Sequence, residues 1–338
     1  MINFFKKSRG SNERSLRSLN LSSRGVASPL RDKPRRFQIR QISSRRIFAR
    51  PQRSFLFQEM DRASCALARR RVALRNTQPA APGMSRLRNE SVDLVVTSPP
   101  YNLGIGYRQY TDRQDRRSYL HWCAKWSAQI RRILRPNGSF FLNVGSAPSN
   151  PMLPHQIVIE LTSAAGGFLL QNTIHWIKSI AVEDREGDLK SHGHFKPINS
   201  KRFLNDCHEC IFHFTKTGRV ELDRLAIGVP YQDKSNVARW SHTRGSDLRC
   251  RGNTWFIPYE TIQSREKERP HPATFPVQLA EWCIKLHGVS RIQTMLDPFL
   301  GIGNSAAAAQ RCGVKRFIGF EIDEAYLAEA KRRLEAPR

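Results

Sequence analysis

The chain alternates two kinds of hydrophobic pattern. Short apolar runs stand at Val92–Val96, Ser139–Val144, Thr173–Ile177, Ile211–Thr215, Gln293–Leu296 and Phe317–Phe320. Elsewhere apolar residues return every three or four positions. Tyr119, Trp122, Cys123, Trp126, Ile130 and Ile133 form one such stripe, and Leu327, Ala330 and Leu334 another. Brief apolar runs predict buried strands, and the 3.6-residue spacing predicts amphipathic helices. Helices are expected over the Tyr119 stripe, ending near the turn signal Pro136-Asn137-Gly138, over Gln156–Ala165, and over Glu324–Leu334. In the last of these Lys331, Arg332 and Arg333 face outward and the role is structural. Trp122 and Trp126 read as core rather than as a stacking platform. Strands alternating with helices predict an α/β domain, a mostly parallel sheet with helices on both faces.

Two strand ends carry unusual loops. Val92–Val96 runs into Thr97-Ser98-Pro99-Pro100-Tyr101, and Gln293–Leu296 into Asp297-Pro298-Phe299-Leu300-Gly301-Ile302-Gly303. Ligands of open α/β sheets bind outside the carboxyl ends of the strands, so both loops are expected on one rim. Consecutive prolines fix φ and remove backbone donors, leaving stiff carbonyl oxygens. The Ser98 hydroxyl and the Pro99 carbonyl can each accept an N–H from an aryl amine, freeing its delocalised lone pair for attack. Tyr101 offers a face on which a base stacks, worth about 1–3 kcal/mol. The competing reading is a proline turn closing a strand. In the second loop Gly301 and Gly303 allow close backbone approach to a ligand, and Asn304-Ser305 opens a helix. Phe317–Phe320 then ends at Glu321, about 20 residues beyond the loop, where an acid can hold ribose hydroxyls. Glu321 also suits a helix start, where the dipole favours an acid.

These strings resemble the motifs of amino-directed DNA methyltransferases of the N4-cytosine/N6-adenine group. Thr97–Tyr101 resembles the catalytic motif and Asp297–Gly303 the cofactor motif. His271-Pro272-Ala273-Thr274-Phe275-Pro276 is similar to a third motif that contacts the cofactor. The catalytic string precedes the cofactor string, the circularly permuted order of the β class. The resemblance runs from about Glu90 to Leu334. It implies a class I, Rossmann-like methyltransferase fold, S-adenosylmethionine as methyl donor, duplex DNA as substrate and a target base flipped out of the helix. It implies catalysis by Ser98, Pro99, Pro100 and Tyr101. It further implies a cofactor pocket from Asp297, Pro298, Phe299, Gly301, Gly303, Glu321, His271, Phe275 and Pro276. Ser at position 98 implies cytosine N4, with adenine N6 as the alternative. Rival readings are an RNA or protein-amide methyltransferase and a non-catalytic DNA-binding protein. Methylation at cytosine C5 uses a thiolate usually presented as Pro-Cys, and this chain has no Pro-Cys dipeptide. Transfer to an amine needs no metal. Relatives usually carry a Gly-Asp-Cys-like strand end about 20 residues before the catalytic strand, and here Leu74-Arg75-Asn76-Thr77 stands in its place.

Charge adds a partner. The 338 residues hold 56 Lys+Arg against 29 Asp+Glu, a net +27. Residues 1–80 contribute 20 basic and 4 acidic side chains, a net +16, and the rest still carries +11. That balance suits a polyanion bound in a salt-dependent way. Residues 1–80, Arg- and Ser-rich, are expected to form a disordered arm, apart from a basic helix over Arg62–Val72. The arm is a DNA tether, an organellar transit segment or an upstream extension without a role. The methyltransferase domain is expected over 87–338. Within it, Glu183–Asn205 and a target-recognition insert around 216–258 are long loops of the kind that is usually functional or disordered. Lys196, Lys201, Arg202, Arg239, Arg244, Arg249 and Arg251 are their candidate DNA contacts. No apolar run is long enough for a membrane span, and a bacterial protein of this type is expected in the cytoplasm or nucleoid. A cognate restriction endonuclease is a possible partner. Seven scattered cysteines suggest reduced thiols. Cys207-His208-Glu209-Cys210 is half a zinc motif, whose other half would come from His192, His194, His213 or Cys250. It also leads directly into an apolar run, and no metal is expected.

Overall fold

The computed structural model describes residues 71–76, 80–163, 167–184, 186–193, 198–258 and 273–335. Ten strands are assigned among them: β1 (Arg71–Asn76), β2 (Val92–Thr97), β3 (Leu134–Val144), β4 (Leu169–Ile177), β5 (Ser179–Glu183), β6 (Leu189–Gly193), β7 (His208–Thr215), β8 (Thr254–Phe256), β9 (Thr294–Asp297) and β10 (Arg316–Glu321). The helices are α1 (Ala80–Ser85), α2 (Arg116–Ile133), α3 (Leu153–Ser163), α4 (Ser235–Arg239), α5 (Val277–His287), α6 (Asn304–Cys312) and α7 (Glu324–Glu335).

Eight strands form one sheet in the order β1-β10-β9-β2-β3-β7-β4-β8. Only β7 is reversed, pairing antiparallel with both β3 and β4; the other neighbours are parallel. The period-2 pleat splits the apolar residues between two cores. Leu94, Val96, Phe141 and Trp176 pack under α5, α6 and α7 through Leu279, Ile284, Ala306 and Leu327. Val95, Phe140, Leu142 and Phe214 pack under α2 and α3 through Tyr119, Trp126, Ile130 and Ile157. Trp126 is 1% exposed, as its place in the stripe predicts. Asp115 caps α2, its Oδ1 accepting from Ser118 N at 3.1 Å.

Four details differ from the pattern. The domain does not begin at residue 87: Arg71–Asn76 adds a parallel edge strand beside β10, which also takes Val72 out of the expected basic helix. Residues 1–70 lie outside the described part. Pro136-Asn137-Gly138 is not a turn, because Leu134 already pairs with Val92 and the segment forms an irregularity within β3. Part of Glu183–Asn205 is an antiparallel hairpin, Ser179 opposite Gly193 through Glu183 opposite Leu189. The insert ends in β8, which pairs with β4 at the sheet edge and buries Trp255 and Ile257. Among the described residues no helix is long and apolar enough to cross a membrane.

Candidate active site

β2 and β9 are neighbours although two hundred residues separate them, and polar side chains fasten them at both ends. At one end Asp93, buried, accepts from Gln293 N (2.9 Å) and Thr294 N (2.8 Å) and pairs with Arg135 (3.1 Å). At the other, where both loops begin, Thr97 Oγ1 donates to Asp297 Oδ1 at 2.5 Å. Asp297 also accepts from Phe299 N (3.0 Å) and the Ser305 hydroxyl. It is 1% exposed, and burial pushes its carboxyl up to about 6. These bonds tie the start of the glycine loop to β2 and to the first turn of α6.

The Pro-Pro loop is equally fixed. Tyr119 Oη donates to the Pro100 carbonyl at 2.7 Å. The Pro99 carbonyl, by contrast, has no hydrogen bond among the described residues. Ser98 Oγ lies 2.5 Å from Tyr101 Oη. The chain then turns through Asn102, at φ 58°, and is held by Asp112. The Asp112 carboxylate accepts from Asn102 N, Leu103 N and Ile105 N at 2.7–3.1 Å. The Pro99 carbonyl and Ser98 Oγ, the latter bonded to Tyr101, thus stand as two oxygens on a stiff frame, and such a pair can accept the two N–H groups of an aryl amine.

Tyr101 is half-buried, and its hydroxyl is tied to residues that sequence reasoning did not single out. Asn143 Nδ2 donates to it at 2.8 Å, and it lies 3.1 Å from Glu209 Oε2. Burial, with the nearby Glu209 charge, raises the phenol well above its usual range. A Cβ on Gly145 would stand 3.0 Å from the Tyr101 ring and 3.1 Å from the Glu209 carboxyl carbon, so glycine is what lets them meet.

The cofactor side is built from the ends of β9 and β10. Glu321 accepts from Gly301 N (2.7 Å), Ile322 N (2.9 Å) and Asp323 N (3.0 Å), joining the glycine loop to the strand end. Burial raises its pKa. Asp323, two residues on, keeps Oδ2 buried without a partner, while its Oδ1 accepts from the first turn of α7. Gly303 sits at φ 84°, and a Cβ there would lie 2.9 Å from Ala330 Cβ. Phe299 packs on Trp122 and Trp126 at centroid distances of 5.5 Å. The Phe275 carbonyl accepts from Asn304 Nδ2 at 2.6 Å, and Pro276 precedes α5. Arg333, expected to face outward, reaches back to the Ile302 carbonyl and Asn304. His271 lies outside the described residues.

The basic candidates divide. Lys201, Arg202, Arg239, Arg244 and Arg249 are exposed. Arg251 is not a free surface cation: its guanidinium lies 4.2 Å over the Trp282 ring and donates to the Ile227 carbonyl at 2.9 Å, packing the insert onto α5. Lys196 lies outside the described residues. Of the candidate partners that would complete a zinc site with Cys210, His194 lies outside the described residues, and among the described residues His192, His213 and Cys250 do not gather at Cys210. His213 is buried, stacked on Phe141 and bonded to Ser139. The register of β4 on β7 instead brings His175 and His208 to Cys210, with donor atoms within 4.8 Å.

A mostly parallel sheet with a Ser-Pro-Pro-Tyr loop and a glycine loop on one rim defines a class I S-adenosylmethionine-dependent methyltransferase fold. The chain belongs to the N6/N4 DNA methylase family, which its residues 92–332 match. It is 30% identical over 258 residues to the type II methyltransferase M.ScaI of Streptomyces caespitosus, covering 72% of this chain and 75% of that one. It is 28% identical over 246 residues to M.BglII of Bacillus subtilis, covering 71% of this chain but 62% of that one, just under two thirds of its length. Among solved structures it resembles PvuII DNA methyltransferase (cytosine-N4-specific), with a TM-score of 0.58 and 19% identity over 79% of this chain and 88% of that one. The family's methyl donor is S-adenosylmethionine. The residues here fit it: a glycine loop joined to Glu321, with the buried, unpartnered Oδ2 of Asp323 two residues on, offers close backbone approach and negative acceptors to a positively charged donor.

Proposed function

We propose that this protein methylates the exocyclic N4 amine of cytosine in duplex DNA. When bound, S-adenosylmethionine supplies an electrophilic methyl group. The target base is flipped from the stack, because its amine is otherwise paired and out of reach. Ser98 Oγ and the Pro99 carbonyl accept the two amine N–H groups, and the Tyr101 ring stacks the base. Glu321 holds the ribose hydroxyls, Asp297 fixes the glycine loop, and Phe275 and Pro276, with His271, close the pocket. Positioning the amine for in-line attack carries much of the barrier reduction. Lys201, Arg202, Arg239, Arg244 and Arg249 neutralise phosphates, and a cognate restriction endonuclease is the natural partner.

The observation that carries this reading is the contrast at the Pro-Pro loop. The Pro100 carbonyl is occupied by Tyr119, while the Pro99 carbonyl has no hydrogen bond among the described residues, and Ser98 Oγ, as donor to Tyr101 Oη, keeps its lone pairs to accept. Cytosine is preferred to adenine N6 because position 98 is Ser. The cytosine-N4 specificity in the PvuII enzyme's name agrees with that choice. The test is nucleoside mass spectrometry of unmethylated DNA incubated with protein and S-adenosylmethionine, with Ser98→Ala as control. N4-methylcytosine is expected. N6-methyladenine would overturn the choice of base, and no methylated nucleoside would overturn the activity.

A further inference from the structure

Methyl transfer to an amine leaves a proton to be removed. The nitrogen lone pair forms the new bond to the methyl carbon, the carbon–sulfur bond breaks with its electrons going to sulfur, and the nitrogen carries a positive charge until one N–H is lost. Neither Ser98 nor Tyr101 retains that proton at neutral pH. The geometry points to Glu209 as its final acceptor, reached through Ser98 and Tyr101. This inference rests on the function proposed above.

Because β7 is the one reversed strand of the sheet, its first residues rather than its last lie at the rim of the loops. Glu209 is therefore the second residue of a strand that begins beside the Pro-Pro loop, and its side chain is 15% exposed. Its Oε2 lies 2.6 Å from Asn143 Nδ2 and 3.1 Å from Tyr101 Oη. Tyr101 Oη in turn lies 2.5 Å from Ser98 Oγ. The chain Ser98–Tyr101–Glu209 is continuous, and each O–H along it has an acceptor ahead. As the amine gives its proton to Ser98 Oγ, the Ser98 proton passes to Tyr101 Oη and the Tyr101 proton to Glu209 Oε2. Product and protonated Glu209 remain, and the carboxyl then releases its proton to water. The raised Tyr101 phenol suits passing a proton on rather than holding a negative charge. Asn143, 2% exposed, holds both ends of the last link, and its Oδ1 is buried without a partner. The titratable groups around Glu209 are Tyr101, Lys178 (Nζ 3.3 Å from Oε1), and Asp206, His208 and Cys210, its neighbours in sequence.

The bland alternative is that Glu209 merely holds the Tyr101 ring in place. The experiment is single-turnover methylation of duplex DNA by the full chain, read by mass spectrometry, for wild type, Glu209→Gln, Tyr101→Phe and the double variant. Glu209→Gln keeps size and one acceptor oxygen for Tyr101 and Asn143, but it removes the charge and the basic oxygen and turns an NH2 group toward Lys178. Its rate should fall about 100-fold while S-adenosylmethionine affinity by calorimetry stays within twofold. The residual rate should climb with pH as hydroxide replaces the carboxylate. Tyr101→Phe cuts the link while leaving Glu209 in place, so the double variant should be no slower than the poorer single. A Glu209→Gln rate within threefold of wild type, or losses that multiply in the double variant, would overturn the relay. So would a fall in rate matched by an equal fall in donor affinity. If Glu209→Gln does not fold, an undiminished rate in Tyr101→Phe overturns it. Absence of any methylated nucleoside from wild type would overturn the functional reading itself, a result separable from all of these.

Discussion

Thr97 and Asp297 meet through a 2.5 Å hydrogen bond across two hundred residues of chain, and that bond ties the origin of the catalytic loop to the origin of the cofactor loop. Removing the hydroxyl with Thr97→Val leaves Asp297 Oδ1 only the Phe299 N–H as partner. A buried acceptor stripped of one partner costs about 1–3 kcal/mol. We expect that loss in urea unfolding, together with weaker S-adenosylmethionine binding, because the glycine loop loses an anchor. Wild-type stability in the variant would refute the anchoring role.

Ser98→Ala removes one of the two acceptors proposed for the amine. The expected outcome is a fall in turnover of about 10²-fold, the scale of losing one placed hydrogen-bond partner at a reacting group. Donor affinity should change less than twofold. Turnover equal to wild type would remove Ser98 from the mechanism.

Glu321→Gln should act in the opposite way. The side-chain amide presents N–H groups toward the backbone donors of Gly301, Ile322 and Asp323, which the carboxylate now accepts. Donor affinity should drop at least tenfold, about 1.4 kcal/mol, as measured by calorimetry. Unchanged affinity would exclude Glu321 from the cofactor pocket.

Acid should destabilise the fold through a histidine pair. His213 Nε2 and His287 Nδ1 each lie 2.9 Å from Ser139 Oγ. Burial, helped by the neighbouring His287, lowers His213 to about 3; burial, helped by Arg291, lowers His287 to about 4. Both pKa values lie below the unfolded 6.5, so the unfolded chain takes up protons first as pH falls. Their contribution is complete above pH 6.5 and at pH 5 is smaller by about 2 kcal/mol for each. Asp297, raised to about 6, works against this by taking up its proton in the folded state first. The net is a lower urea midpoint at pH 5 than at pH 7, with both imidazoles still neutral by NMR at pH 5. A midpoint that rises on acidification would contradict the assignment.

Exposed arginines in the insert should act on affinity rather than on chemistry. Replacing Arg239 and Arg244 together by Ala should reduce the salt slope of DNA binding by about 2 if both contact phosphates. Arg251→Ala should instead lower stability, since that guanidinium packs on Trp282. An unchanged salt slope in the double variant would place the duplex elsewhere.

The two loops were legible because proline and glycine mark them, and the sheet because its runs are short and apolar. Asn143 and Glu209 were not. Each sits in a strand of ordinary pattern, and what makes them matter is pairing between β3 and β7, which a linear reading does not supply. The same holds for His175, whose nearness to Cys210 is a fact of register. β1 was visible only through the family resemblance, as a strand end at Leu74–Thr77, because Arg71–Asn76 mixes charge with apolar residues and follows a strongly basic stretch. Arg251 was misread because composition cannot tell a cation held over an indole from one in water.

The position of β2 also says something about how the chain comes to be folded. Its partners on one side, β9 and then β10, are synthesised some two hundred residues after it, and its partner on the other side follows at once. Nascent β2 and β3 therefore present an unsatisfied apolar edge until β9 emerges, and closure requires contacts between residues some two hundred positions apart. Such non-local pairing slows folding and leaves intermediates prone to aggregate. The glycine loop thus cannot meet the Pro-Pro loop until β9 has been made, and expression should respond to chaperone supply more sharply than the final stability would suggest.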